Sequence, residues 1–142
     1  KKYFRIFLSK YYKKDSDWRI KRYKHSKNIA KNLQTLSSSE IKEFFLGIHS
    51  ISSGSGSGIR KKNIKEIDSL ILKELLGFLL ESNLSMPQKY SVALTKKEKN
   101  GLKIPYVGES SIGEIPGWLM PEKYPIINSK LHFIFDFFKM EL

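Results

Sequence analysis

Between Trp18 and Lys31 the sequence WRIKRYKHSKNIAK carries six Lys or Arg residues and no acid. On a helix, Lys21, Lys24, His25, Asn28 and Lys31 fall on one face, and Arg19 and Arg22 lie beside it near the positive helix end. An arginine fork takes phosphate oxygens two at a time, a lysine adds point charge, and a helix N-terminus adds free N–H donors. This combination suits a triphosphate or a sugar-phosphate backbone. Its plain alternative is the solvated face of an ordinary charged helix, and the lack of acids within the cluster favours phosphate. Tyr3, Phe4, Phe7, Tyr11, Tyr12, Trp18 and Tyr23 interleave with the bases. Most read as core, with Ile20, Tyr23, Ala30 and Leu33 turned inward, which leaves Trp18 or Tyr12 to stack on a base.

The charge of the whole chain points the same way. Of a net +12, ten charges come from Lys1 to Asn32, where twelve Lys or Arg face only Asp15 and Asp17. The other 110 residues carry fourteen bases against twelve acids. A field so concentrated is a footprint for polyphosphate. A second basic site is Lys96, Lys97 and Lys99, read either as a solvated turn or as a further nucleic-acid contact.

Catalytic constellations are missing. There is no Gly-rich phosphate loop, no Asp-x-Asp pair, and no Cys or Ser nucleophile with a placed base; Glu109 and Glu114 make a weak carboxylate pair. With no cysteine, disulfides and Cys-ligated zinc or iron–sulfur centres are excluded, and His25, His49 and His132 are scattered, so no metal or other cofactor is expected. No apolar run is long enough for a membrane span, and the basic N-terminus lacks a signal-peptide core. These features lead to the expectation of a cytoplasmic, nucleoid-associated binding protein with no membrane partner.

The elements that must hold the cluster are mostly helical. The pattern predicts one domain over residues 1–142, with helices over about Lys2–Lys13, Trp18–Thr35, Ser38–His49, Lys62–Ser82 and Ser129–Met140. The Ser38 helix has Ser37 to Ser39 as caps and Ile41, Phe44, Phe45 and Ile48 on one face. The Lys62 helix, with its wide apolar stripe, is the expected centre of the core. Residues 50–58 read as a flexible Gly/Ser connector whose strict alternation is that of an engineered loop replacement. Tyr90–Leu94 and Leu102–Val107 read as a small β-hairpin turned at Asn100-Gly101. Residues 108–125, rich in Gly and Pro, read as irregular.

In the hairpin region a family pattern emerges. Tyr90-Ser-Val-Ala-Leu, the turn at Gly101, Ile104-Pro-Tyr106-Val-Gly-Glu-Ser110-Ser111, Ile115-Pro-Gly-Trp118 and the stretch Lys123 to Phe138 resemble, in order, the C-terminal domain of the archaeal and eukaryotic primase large subunit. Upstream, Arg19, Arg22 and Lys24 precede Leu36-Ser37 and Phe44-Phe45 as that family's arginines precede its turn and aromatic pair. The family holds a [4Fe–4S] cluster with four cysteines. Here Ser110 or Ser111 and the neighbourhoods of Trp118 and Tyr124 stand instead, so the chain resembles the cluster-free accessory primase subunits of some archaea. The resemblance implies a noncatalytic subunit, partnered by the catalytic and large primase subunits, that binds template single-stranded DNA and a nucleoside triphosphate. It implies Arg19, Arg22, Lys24 or His25, and Lys31 as phosphate ligands and Phe45 near the site, while the residues themselves offer Trp18, Lys21, Lys96, Lys97 and Lys99 as candidate nucleic-acid contacts. Two other readings remain: a helical DNA-binding module of the recombinase core-binding type, and a basic scaffold for an acidic protein.

Overall fold

A computed structural model describes residues 13–81 and 83–124, with side chains from residue 20 onward. The expected helix at Lys2–Lys13, apart from Lys13, and that at Ser129–Met140 lie outside the described residues. The rest is mostly helical, in the order α1 (Lys13–Asn32), a 3-10 turn (Leu33–Thr35), α2 (Ser38–Leu46), α3 (His49–Ser52), α4 (Ser57–Glu66), α5 (Ser69–Leu80), α6 (Met86–Leu94), a second 3-10 turn (Lys97–Lys99) and α7 (Glu109–Leu119). Among the described residues no helix is long and apolar enough to cross a membrane.

The start of α2 follows the sequence. Ser37 Oγ accepts from the Glu40 N–H, while the Ser37 N–H and Oγ both donate to Glu40 Oε2. These bonds hold the Glu40 carboxyl below the usual carboxylate range, and they satisfy donors that the first helical turn leaves open. Ile41, Phe44, Phe45 and Ile48 are then fully buried.

Three expectations are corrected. The long Lys62–Ser82 helix is two helices, because Asp68 leaves the helical path and its Oδ1 accepts from the Leu70 N–H at 2.9 Å, starting α5 afresh. Of the Gly/Ser run, only residues 53–56 lie outside helices; Gly54 and Gly56 there adopt left-handed φ of 77° and 76°. The β-hairpin is absent, and among the described residues there is no strand. Residues 90–94 belong to α6, whose start is fixed by Ser85, donating from N and Oγ to Gln88 Oε1, with Pro87 in the first turn. Five residues are too few to separate the two periods, and this helical start decides between them.

The Asn100-Gly101 turn itself survives. Asn100 is left-handed at φ 59°, the Gly101 N–H reaches Lys96 O, and the returning chain bonds Val92 O and Thr95 O at the end of α6. A Cβ at Gly101 would collide with the Thr95 carbonyl. Gly101→Ala is therefore expected to cost about 2 kcal/mol, as overpacking of a tight site does; an unmoved urea midpoint would contradict this.

The largest departure is α7, where an irregular loop was expected. Despite Pro116 within it, α7 is the axis of the fold, buried from Ser111 to Gly117 and packed against α1, α3, α5 and α6. A proline inside a helix costs about 3 kcal/mol. Burial of Ile112, Ile115 and Leu119, at about 2 kcal/mol each, exceeds that cost.

Candidate functional site: the lysine face of α1

The rotation of α1 about its axis decides which residues can meet a ligand. Ser26, Ile29 and Leu33 are buried, and Arg22 is half-buried beneath them, so the inner stripe runs 22, 26, 29, 33 at helical spacing. Ile20 and Tyr23, expected in the core, instead lie outside at 51% and 38% exposure. Lys21, Lys24, Lys27, Asn28 and Lys31 are all exposed. Lys21, Lys24 and Lys31 have no hydrogen-bond or ion-pair partner among the described residues, whereas Lys27 Nζ lies 5.8 Å from the centre of the Tyr23 ring. Trp18 and Arg19 belong to α1, but their side chains lie outside the described residues.

Arg22 points inward. Its Nη2 donates to Phe44 O at 2.9 Å, capping the C-terminal end of α2, where a cation also meets the negative end of the helix dipole. The guanidinium carbon lies 5.0 Å from the centre of the Phe44 ring and 5.5 Å from that of Trp118. Burial pushes its pKa down, and Glu114 and Glu43 pull it back up; arginine stays charged throughout. Gly47 makes room, since a Cβ there would strike the Arg22 guanidinium. Its backbone is right-handed, at φ −83°. Gly47→Ala is therefore expected to cost about 2 kcal/mol in the natural protein and almost nothing in an Arg22→Ala background. Equal costs in both backgrounds would contradict the packing.

Glu114 completes this joint. Its side chain is 3% exposed, and its carboxylate accepts the His49 and Ser50 N–H groups at 2.8 and 3.1 Å and Trp118 Nε1 at 3.1 Å. It thereby holds the start of α3 and offsets the Arg22 charge. These bonds give Glu114 a structural role.

His25 is half-buried, its ring 6.4 Å from that of Phe44, and its Nε2, like Ser26 Oγ and Arg22 Nε, is buried with no hydrogen-bond partner. Phe45 lies in the core, edge-on to Phe44. Arg22 and His25 thus meet the Phe44 ring beneath α1, with Phe45 edge-on to that ring in the core, while Lys21, Lys24 and Lys31 share the outer face of α1. Lys96, Lys97 and Lys99 are exposed on the turn after α6.

Many other cations are committed to helix ends, a use that sequence spacing does not reveal. Lys42 Nζ donates to Lys65 O at the end of α4, and Lys73 Nζ to Gln34 O after α1. Arg60 serves the carbonyls of Ile51, Ser53 and Ser55 after α3. Lys89, 1% exposed, caps α5 through Leu79 O at 2.9 Å and Glu81 O. Each satisfies carbonyls that the last helical turn leaves unpaired. Among the described residues, Lys21, Lys24, Lys27 and Lys31 of α1 cap no helix end.

The concavity between α3, α4 and the start of α7, about 530 Å³ and lined by His49, Arg60, Tyr106, Glu109 and Glu114 among others, is poorly suited to phosphate. Its one arginine is engaged by carbonyls and two carboxylates line it. Among the described residues no group of three His, Cys, Asp or Glu side chains could hold a metal ion. The chain matches no protein-family model, no curated protein and no solved structure.

Proposed function

We propose that this protein is a noncatalytic accessory subunit in RNA primer synthesis, which holds template single-stranded DNA and the 5′-triphosphate end of the initiating nucleotide or primer against α1. The observation that carries the phosphate-binding part is the row Lys21, Lys24, Lys27 and Lys31: exposed, free of acidic neighbours in sequence from Trp18 to Ser39, and with no hydrogen bond or ion pair among the described residues. The primase assignment rests on the resemblance in sequence. Its contribution to the reaction is proximity. Holding one reactant beside the catalytic subunit's second nucleotide removes translational and rotational freedom that the first bond would otherwise cost.

A second reading is favoured by one observation. The Arg22 fork is turned inward, donating to Phe44 O with Glu114 as a nearby counter-charge, so the outer face offers point charges along a helix and no bidentate clamp from that residue. Such a row follows a sugar-phosphate backbone, as in a general DNA-binding module, without preferring a triphosphate. Calorimetric titration with ATP, AMP and a short single-stranded DNA separates the two. Binding of DNA together with ATP well above AMP supports the primase role; binding of DNA with no triphosphate preference supports the general module. Absence of binding by all three would refute both and leave the basic scaffold for an acidic protein.

A further inference from the structure

Beside the lysine row lies a groove of about 300 Å³. One wall is α1, with Tyr23, Lys27 and Lys31; the other is the end of α7 and the chain after it, with Leu119, Met120 and Pro121. Leu119 and Met120 are 4% and 8% exposed, so they form a floor, while Tyr23 at 38% presents part of its ring to the opening. The volume is at the lower end for small-ligand sites. It accommodates one planar ring more readily than a whole nucleoside triphosphate.

We propose that this groove seats one base of a single-stranded nucleic acid, stacked on Tyr23, with the adjoining phosphates on Lys27 and Lys31. The inference rests on the reading of α1 as a phosphate-binding face and adds the seat for a base of the strand it takes. Charge complementarity selects the occupant: an apolar slot rimmed by two lysines fits an aromatic ring flanked by negative charge. Glu122, also at the groove, is a single acid against those two lysines. It faces the exocyclic amino groups of a base more favourably than a phosphate. Lys27 Nζ over the Tyr23 ring occupies the stacking face only through an exposed, weak cation–π contact, which a base displaces as the lysine turns to a phosphate. A duplex, with its bases already stacked on each other, cannot enter; an unpaired strand can.

The test uses fluorescence anisotropy with two labelled strands of equal length and charge, one of ordinary single-stranded DNA and one fully abasic, against the natural chain, Tyr23→Ala and Tyr23→Phe. The expected result is about tenfold tighter binding of the base-bearing strand, a preference lost in Tyr23→Ala and kept in Tyr23→Phe, with abasic affinity the same in all three. Equal binding of both strands by the natural chain would overturn the base-stacking groove and leave the phosphate-binding face standing. Binding of neither strand would overturn both. A preference that survives in Tyr23→Ala would overturn the role of Tyr23 and, with it, the groove as proposed.

Discussion

Glu114→Ala is expected to lower the stability of the fold by about 3 to 5 kcal/mol, because three part-buried N–H donors lose their acceptor at about 1 kcal/mol or more each. The substitution leaves the His49 and Ser50 N–H groups and Trp118 Nε1 without the acceptor they share, and it strands Arg22 in a half-buried site with Glu43 as its remaining counter-charge. Against a total stability of roughly 5 to 15 kcal/mol for an ordinary domain, this is a large fraction. It should appear as a marked fall in the urea midpoint. Glu114→Gln keeps an acceptor and loses the charge, so its cost should be smaller. Replacing Arg22 by Met in the Glu114→Gln chain should recover part of that loss, because the unpaired cation is then gone. A Glu114→Ala chain within 1 kcal/mol of the natural one would show that the joint between α1, α2, α3 and α7 is not held in this way.

The second large effect is expected at the surface. Reversal of Lys24, Lys27 and Lys31 to Glu should weaken single-stranded DNA binding on the order of 100-fold at low salt, since three phosphate contacts become three repulsions. Stability should change by less than about 0.5 kcal/mol, as for most exposed substitutions. A charge-matched control reverses Lys62, Lys65 and Lys103, exposed residues outside α1, and should lose much less. Equal losses in the two triple variants would mean that only net charge matters, and the α1 face would have no special role.

How far these features could be read in the sequence depends on the range of the interaction involved. The start of α2 was legible because the Ser37–Glu40 exchange spans three residues and the apolar face begins at once. The acid-free run of α1 was legible because it is contiguous. The rotation of α1 was not: its buried stripe contains Arg22 and Ser26, which hydropathy places outside, while Ile20 and Tyr23 face solvent. Arg22 turns inward because Gly47, twenty-five residues on, leaves space for it and Glu114 supplies charge. No local pattern carries that information. The helix α7 was hidden by Gly113, Pro116 and Gly117, local breakers that burial overrides. The β-hairpin expectation failed where the short segment 90–94 met a helix start four residues upstream. Of the basic residues, spacing alone could not separate Lys89, a buried cap, from Lys24, a free surface charge.

The measurement closest to the central claim is the salt dependence of single-stranded DNA binding, compared between the natural chain and the chain with Lys24, Lys27 and Lys31 changed to Ala. Each phosphate neutralised on a single strand contributes about 0.7 to the slope of log affinity against log salt. The account predicts that the triple variant loses about 2 from the magnitude of the slope while its thermal midpoint is unchanged. An identical slope in the two proteins would contradict it, since the phosphates would then be held by something other than the lysine face of α1.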